Sequence, residues 1–261
     1  MKRNNILDEI VSNKKKEQNS IRKQFGDLSF KNLTSRNCYS MSRSLQESSS
    51  GIIAEFKRRS PSKGEINAMA DASVIIPGYA FEGAAALSIL TDTRYFGGSN
   101  TDLVLGRSLV SIPILRKDFI ICERQIFEAH LIGADAILLI ASCLTKEEIV
   151  RFTDLAHEIG LEVLLEIHNL SELEKYYPKV DMIGVNHRDL TTFSVDQELS
   201  YKVADKLPSE VLKIAESGLQ NFEQVKQLRQ VGYKGFLIGE TFMKSSNPPL
   251  ALKDFIAGDL C

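Results

Sequence analysis

From residue 51 onward the chain repeats one pattern. A short apolar run ends in polar residues, an amphipathic stretch follows, and a glycine precedes the next apolar run. The runs begin at 51 (GIIAEFK), 86 (ALSILTD), 112 (IPILRKDF), 136 (AILLIAS), 162 (EVLLEI), 181 (DMIGVN), 212 (LKIAES) and 235 (GFLIGE). Apolar positions in continuous runs, rather than alternating ones, mark strands buried on both faces. The stretches between them keep helical spacing. In 145–160, Ile149, Phe152, Leu155, Ala156 and Ile159 share a stripe, Thr145 with Glu148 forms a capping box, and Gly160 is a stop. Residues 221–232 repeat the scheme with Phe222, Val225 and Leu228. The stretches after Glu166 and at 249–256 carry a weaker helical signal.

Eight strand–helix units with short connections leave two architectures: a closed barrel or a doubly wound open sheet. The open sheet usually has a Gly-rich turn after its first strand. Residues 57–64, KRRSPSKG, make no such turn. The pattern therefore predicts an α/β fold, a (β/α)8 TIM barrel over 51–261, close to the roughly 250 residues typical of that fold. Residues 1–50 form an N-terminal helical extension. A helix is expected over 5–18 with Ile6, Leu7, Ile10 and Val11 inward and Lys14, Lys15 and Lys16 on a solvated face. The polar stretch from Leu33 to Ser50 reads as a loop feeding the first strand. So few apolar residues cannot build a separate core. One domain over 1–261 is expected, with no fused second enzyme.

Composition narrows the partners. There are 32 Lys+Arg against 34 Asp+Glu, a net charge of −2, which argues against the broad basic face of a nucleic-acid binder. No apolar run nears the roughly 18 residues that span a bilayer, so no membrane role is expected. Cys38, Cys122, Cys143 and Cys261 form no CxxC pair, which fits a reducing compartment. Cys122 and Cys143 read as buried small hydrophobes. His130, His157, His168 and His187 lack the spacing of a zinc site, and no metal is expected. The first 18 residues have neither an apolar core nor a small-residue cleavage site, so a cytoplasmic protein is expected.

In barrels of this kind the working residues stand at the C-terminal ends of the strands. Here those ends carry Glu55 and Lys57, then Arg116-Lys117-Asp118, then Glu166 and His168, then Asn186-His187-Arg188, then Glu216-Ser217-Gly218, and finally Gly239-Glu240. The two-residue strand period points Glu55 and Lys57 the same way. Ionisable groups attached to buried strands are costly unless paired or used. A structural ion-pair ring closing the mouth is the plainer alternative for any one of them, less so for the set. Ser217-Gly218 and Gly239-Glu240 follow the last two strands, where such barrels hold a phosphate on backbone N–H groups.

The segments 53–64 (IAEFKRRSPSKG), 113–120 (PILRKDFI), 164–169 (LLEIHN), 183–190 (IGVNHRDL), 214–219 (IAESGL) and 236–244 (FLIGETFMK), with 87–99 (LSILTDTRYFGGS), closely resemble the strand motifs of the indole-3-glycerol-phosphate synthase family. The resemblance spans about 51–245 in order, and a helical N-terminal extension is a family trait. It implies a cofactor-free lyase of tryptophan biosynthesis acting on 1-(2-carboxyphenylamino)-1-deoxyribulose 5-phosphate. By that resemblance Lys117 is the general acid and Glu166 the general base. Lys57 and Glu55 are candidates for the second acid, and Asn186 and Ser217 stand with the catalytic group. Lys57, Ser60, Arg188, Glu216, Gly218, Gly239 and Glu240 would bind the substrate and its phosphate. Phe96 and Phe119, with Leu138 or Leu139, would wall a pocket for the anthranilate ring. Ser60 and Ser62 flank Pro61 in what resembles the family's mobile first loop, a lid. His187 is set aside as non-catalytic, and His168 as a loop-positioning residue. The expected partner is a small phosphorylated molecule, with association to other tryptophan-pathway enzymes an open possibility. Two rivals remain. Phosphoribosylanthranilate isomerase would want a Cys and an Asp at strand ends, where this first strand ends Glu55-Phe56-Lys57. A barrel kept only for binding would have lost Lys117 or Glu166.

Overall fold

A computed structural model describes residues 6–33, 36–189 and 192–258; Cys261 lies outside them. Eight parallel strands close a barrel. They are β1 (Ile52–Phe56), β2 (Ala86–Leu90), β3 (Ile114–Lys117), β4 (Ala136–Ile140), β5 (Glu162–Ile167), β6 (Met182–Asn186), β7 (Leu212–Glu216) and β8 (Tyr233–Ile238). Each pairs with its sequence neighbours and β1 closes on β8, Ile53 lying beside Leu237. All eight expected strands are present. The third begins two residues later than its apolar run, and the eighth begins two earlier, with a register shift between Tyr233 and Gly235.

The strand period of two sorts side chains into two shells. Ile53, Leu115, Leu138, Leu164, Met182, Ile214 and Leu237 form the inner cluster. Ile52, Ala54, Leu87, Ile137, Val163, Ile183 and Phe236 belong to the outer cluster under the helices. Continuing the inner parity upward reaches Glu55, Lys57, Lys117, Glu166, Asn186 and Glu216. One rule therefore fixes both the core and the chemistry of the mouth.

The helices are α1 (Ile6–Phe25), α2 (Met41–Glu47), α3 (Ala72–Phe81), α4 (Thr93–Phe96), α5 (Asn100–Leu109), α6 (Glu123–Ile132), α7 (Lys146–Glu158), α8 (Glu198–Val203), α9 (Phe222–Gln230), α10 (Glu240–Met243) and α11 (Pro248–Ala257). The Thr145–Glu148 capping box forms as expected. After β5 the link is a 3-10 turn, Leu170–Lys175, and not an α-helix. Asn169 caps it, its side chain accepting from the Glu172 N–H, and the run is short, as 3-10 helices usually are.

The extension departs most from expectation. Residues 41–47 are a helix, α2, and not loop: Ser40 caps it, and Met41 and Leu45 are buried beneath the barrel. Serines, polar in a pattern, here tie the helix to the floor. Ser40 Oγ and Ser42 Oγ donate to Glu162 Oε1 at 2.6 and 2.8 Å, and Ser44 Oγ to the Ala85 carbonyl at 2.6 Å. The other helix, α1, covers the opposite end. Between them in sequence, Phe30 packs edge-on against Phe127 of α6 at 5.4 Å. Lys14 is also a correction: it is 1% exposed, not solvated. Its ammonium lies 3.0 Å from Asp92 and Asp118 and 3.1 Å from Glu17. Burial alone would lower its pKa, but Asp118, Asp92 and Glu17 outweigh that and raise it. A run of three lysines looks uniform in sequence, yet only one of the three can face the barrel from a helix.

Candidate active site

The strand tips, the loops above them and α1 enclose a cavity of about 520 Å³. Its wall takes Glu55 from β1 and Lys57 just past it, Lys117 from β3 and Phe119 just past it, Glu166 from β5, and Asn186 from β6 and Arg188 just past it. The last two strands bring Glu216, Ser217, Gly218, Gly239 and Glu240, and loops bring Ser60 and Phe96. The sequence-derived site residues thus share one mouth. Leu138 lines it, while Leu139 has the opposite parity and lies in the outer core.

At its centre the Lys117 ammonium donates to Glu166 Oε2 at 2.9 Å and Glu216 Oε2 at 2.7 Å. Burial would lower the lysine, but Glu166, Glu216 and Glu55 together raise it, so it stays cationic. Burial would likewise raise Glu166; Lys117 and His168 outweigh it and hold that carboxyl low, hence ionised. His168 Nε2 lies 3.3 Å from Glu166 Oε1. Glu216 goes the other way: burial first, then Glu166, push its carboxyl up against the pull of Lys117. Two carboxylates beside one cation cannot be equally easy to ionise, and the geometry decides between them. Lys57 Nζ meets Glu55 Oε1 in a second close pair.

Glycines make room for these carboxylates. A side chain at Gly184 would overlap Glu216 Oε1, and one at Gly239 would overlap Glu55 Oε1. On one side Phe96 and Phe119 stack obliquely, centroids 6.0 Å apart, as an aromatic wall. On the other, Arg188 and Lys63 each reach within 3.5 Å of the Glu240 carboxylate. The first loop forms a small antiparallel hairpin, Arg59–Ser60 with Gly64–Glu65. Arg58 clamps its base, donating to Asp102 Oδ2 and Oδ1 at 2.6 and 2.9 Å.

The strand-end rule missed several wall residues because they are not on strand ends. Ile6, Leu7 and Ile10 arrive from α1, Phe193 and Gln197 from the loop after β6, and Lys63 and Lys244 as further cations. The α1 residues were legible as an apolar stripe, but not what they would cover. Cys122, at the N-cap of α6, and Cys143, in the loop after β4, are half-buried and not fully buried. Burial still pushes the Cys143 thiol up to about 12, as expected of an inert cysteine.

The family model of indole-3-glycerol phosphate synthase matches residues 7–255. An indole-3-glycerol phosphate synthase of Bacteroides thetaiotaomicron is 49% identical over 259 residues, covering 96% of this chain and 97% of that protein. Namesakes from Sulfurimonas denitrificans and Lachnoclostridium phytofermentans are 38% and 40% identical, each over 95% of this chain. Carboxylates and two lysines on an inner strand parity, an aromatic wall and Gly-edged turns after the last two strands thus meet a match running nearly end to end, and the chain belongs to the indole-3-glycerol phosphate synthase family.

Proposed function

We propose that this enzyme converts 1-(2-carboxyphenylamino)-1-deoxyribulose 5-phosphate to indole-3-glycerol phosphate, CO2 and water. The observation that carries the reading is Lys117: a half-buried ammonium held between two carboxylates inside a mouth that is aromatic on one side and basic on the other.

The aryl ring packs against Phe96 and Phe119. The phosphate is received by the Ser217-Gly218 and Gly239-Glu240 turns with Arg188 and Lys57. The ketone oxygen at C2′ then replaces a carboxylate as acceptor from Lys117. Ring-carbon attack on C2′ places negative charge on that oxygen, and the cation stabilises and protonates it. The dearomatised ring carries an iminium cation, opposite in sign to the ionised Glu166. Loss of CO2 restores the aromatic ring. Dehydration needs an acid for the departing hydroxyl, for which the paired Lys57 and Glu55 are the candidates, and a base for the proton lost as indole forms, which suits Glu166. Asn186 accepts the Arg188 backbone N–H at 3.0 Å through Oδ1 and so orients that arginine's loop. The hairpin bearing Ser60 and Ser62 is the lid.

We read residues 1–261 as one domain, since the apolar residues of α1 and α2 are buried only against the barrel. No helix among the described residues is long and apolar enough to cross a membrane. Free thiols at Cys38, Cys122 and Cys143 suit the cytoplasm. Any association with other pathway enzymes would be read by cross-linking. The test of function is direct: purified enzyme, with chelator and no added metal, turns over the substrate to a product with indole fluorescence. No product at saturating substrate, or turnover that needs a metal, overturns the reading.

A further inference from the structure

The turn after β7 is held in an unfavourable backbone conformation. Ser217 has φ +70°, a region that non-glycine residues rarely adopt, and Gly218 follows with φ +78°. Side chains from one loop hold both carbonyls. His187 Nδ1 lies 2.8 Å from the Ser217 carbonyl oxygen, and Gln197 Nε2 donates to the Gly218 carbonyl. A carbonyl can only accept, so Nδ1 carries the proton and Nε2 accepts from the Ser200 hydroxyl at 2.6 Å. Ser200 is itself held, its carbonyl accepting from Tyr233 OH at 2.9 Å, and Gln197 Oε1 accepts from Gln224 Nε2 at 2.8 Å. Burial keeps the imidazole neutral by lowering its pKa, which preserves this donor–acceptor order.

The peptide between Ser217 and Gly218 is trans, so its C=O and N–H point in opposite directions. His187 does not line the cavity, whereas Ser217 and Gly218 do. We infer that His187, seconded by Gln197, is a positioning residue for anion binding: by fixing the Ser217 carbonyl outside the barrel, it aims the Gly218 N–H into the mouth. This rests on the reading that the turn faces the substrate's phosphate. A neutral side chain that never touches the substrate thereby sets the geometry of its recognition.

The test measures binding of inorganic phosphate by titration calorimetry alongside KM and kcat. His187→Leu keeps bulk and removes both hydrogen bonds; it should weaken phosphate and raise KM about tenfold, with kcat changed far less. His187→Asn keeps a donor near Nδ1 and should recover most of that loss. Gln197→Met, removing the second tine, should cost about threefold. In a Ser217→Gly background, where positive φ needs no holding, the effect of His187→Leu should shrink. Wild-type affinity in His187→Leu, an Asn variant as impaired as Leu, or an undiminished effect in the glycine background each overturns the inference. So does a wild-type chain that takes no phosphate. If His187→Leu does not fold, the Asn and Gln197 variants carry the decision. Failure of the functional reading shows separately, as wild-type enzyme that binds phosphate yet makes no indole product.

Discussion

Both ends of the barrel bury charge, and they do so to opposite effect. At the floor, Asp135 is fully buried and every approach to it is filled. It accepts from Arg36 at 2.9 Å, Arg107 at 2.7 Å, and the backbone N–H groups of Tyr39 and Ile114 at 3.0 and 2.9 Å. At the mouth, Glu216 is 1% exposed and its Oε1 has no hydrogen-bond partner among the described residues. Its neighbour in sequence, Ser217, sits at positive φ. A satisfied buried carboxylate holds a fold together, while an under-satisfied one beside a shared cation is a group waiting for a ligand. The two ends differ not in composition but in whether their hydrogen bonds are complete.

The contrast is sharpest in variants that separate rate from stability. Lys117→Met should lower kcat by about 10²–10⁴, the usual worth of acid–base assistance, in steady-state assays. A rise in KM with kcat intact would make Lys117 a binding residue only and collapse the distinction. At the floor, Asp135→Ala leaves two guanidinium groups and two N–H groups without their acceptor. It should cost about 3–5 kcal/mol and lower Tm on the order of 10 °C by calorimetry, with kcat of the folded enzyme nearly unchanged.

A smaller effect tests the sign of the mouth's strain. The fold holds the Glu216 carboxyl above its unfolded value. Its stabilising contribution is therefore complete below the unfolded pKa and is lost as pH rises through the folded one. Glu216→Gln removes that titration, so its Tm relative to wild type should rise from pH 5 to pH 8, even as activity falls. A Tm difference flat across that range would mean that Glu216 is as well satisfied as Asp135. Smallest of all is the exposed pair Lys179–Asp154, 2.8 Å apart near the floor. Lys179→Ala should move Tm by no more than about 1–2 °C, because solvent already screens an exposed pair. A large loss there would mean that floor stability rests on surface charge after all.

The extension shows where sequence reading reaches its end. Ile6, Leu7 and Ile10 were legible as an apolar stripe, and the helix followed from spacing alone. That Lys14, one of three adjacent lysines, is the one held by Asp92 and Asp118 depends on which helix face meets the mouth. The serines before Gly51 looked like loop because a capped seven-residue helix is too short to stabilise itself; its apolar pair, Met41 and Leu45, gains stability only from the barrel floor.

The sequence by itself determined what is periodic and local. Eight apolar runs with helices between them dictate a barrel, and a side-chain period of two places Glu55, Lys57, Lys117, Glu166, Asn186 and Glu216 on one inner shell. Only the tertiary structure decided how those groups share protons and partners. Lys117 and Glu216 are 99 residues apart in sequence and 2.7 Å apart in space. His187, one residue off the inner parity, was legible only as a histidine of the wrong face; its hold on Ser217 spans 30 residues. Periodicity is written in neighbouring residues, whereas pairing is set by barrel closure, which brings together residues that no local pattern relates.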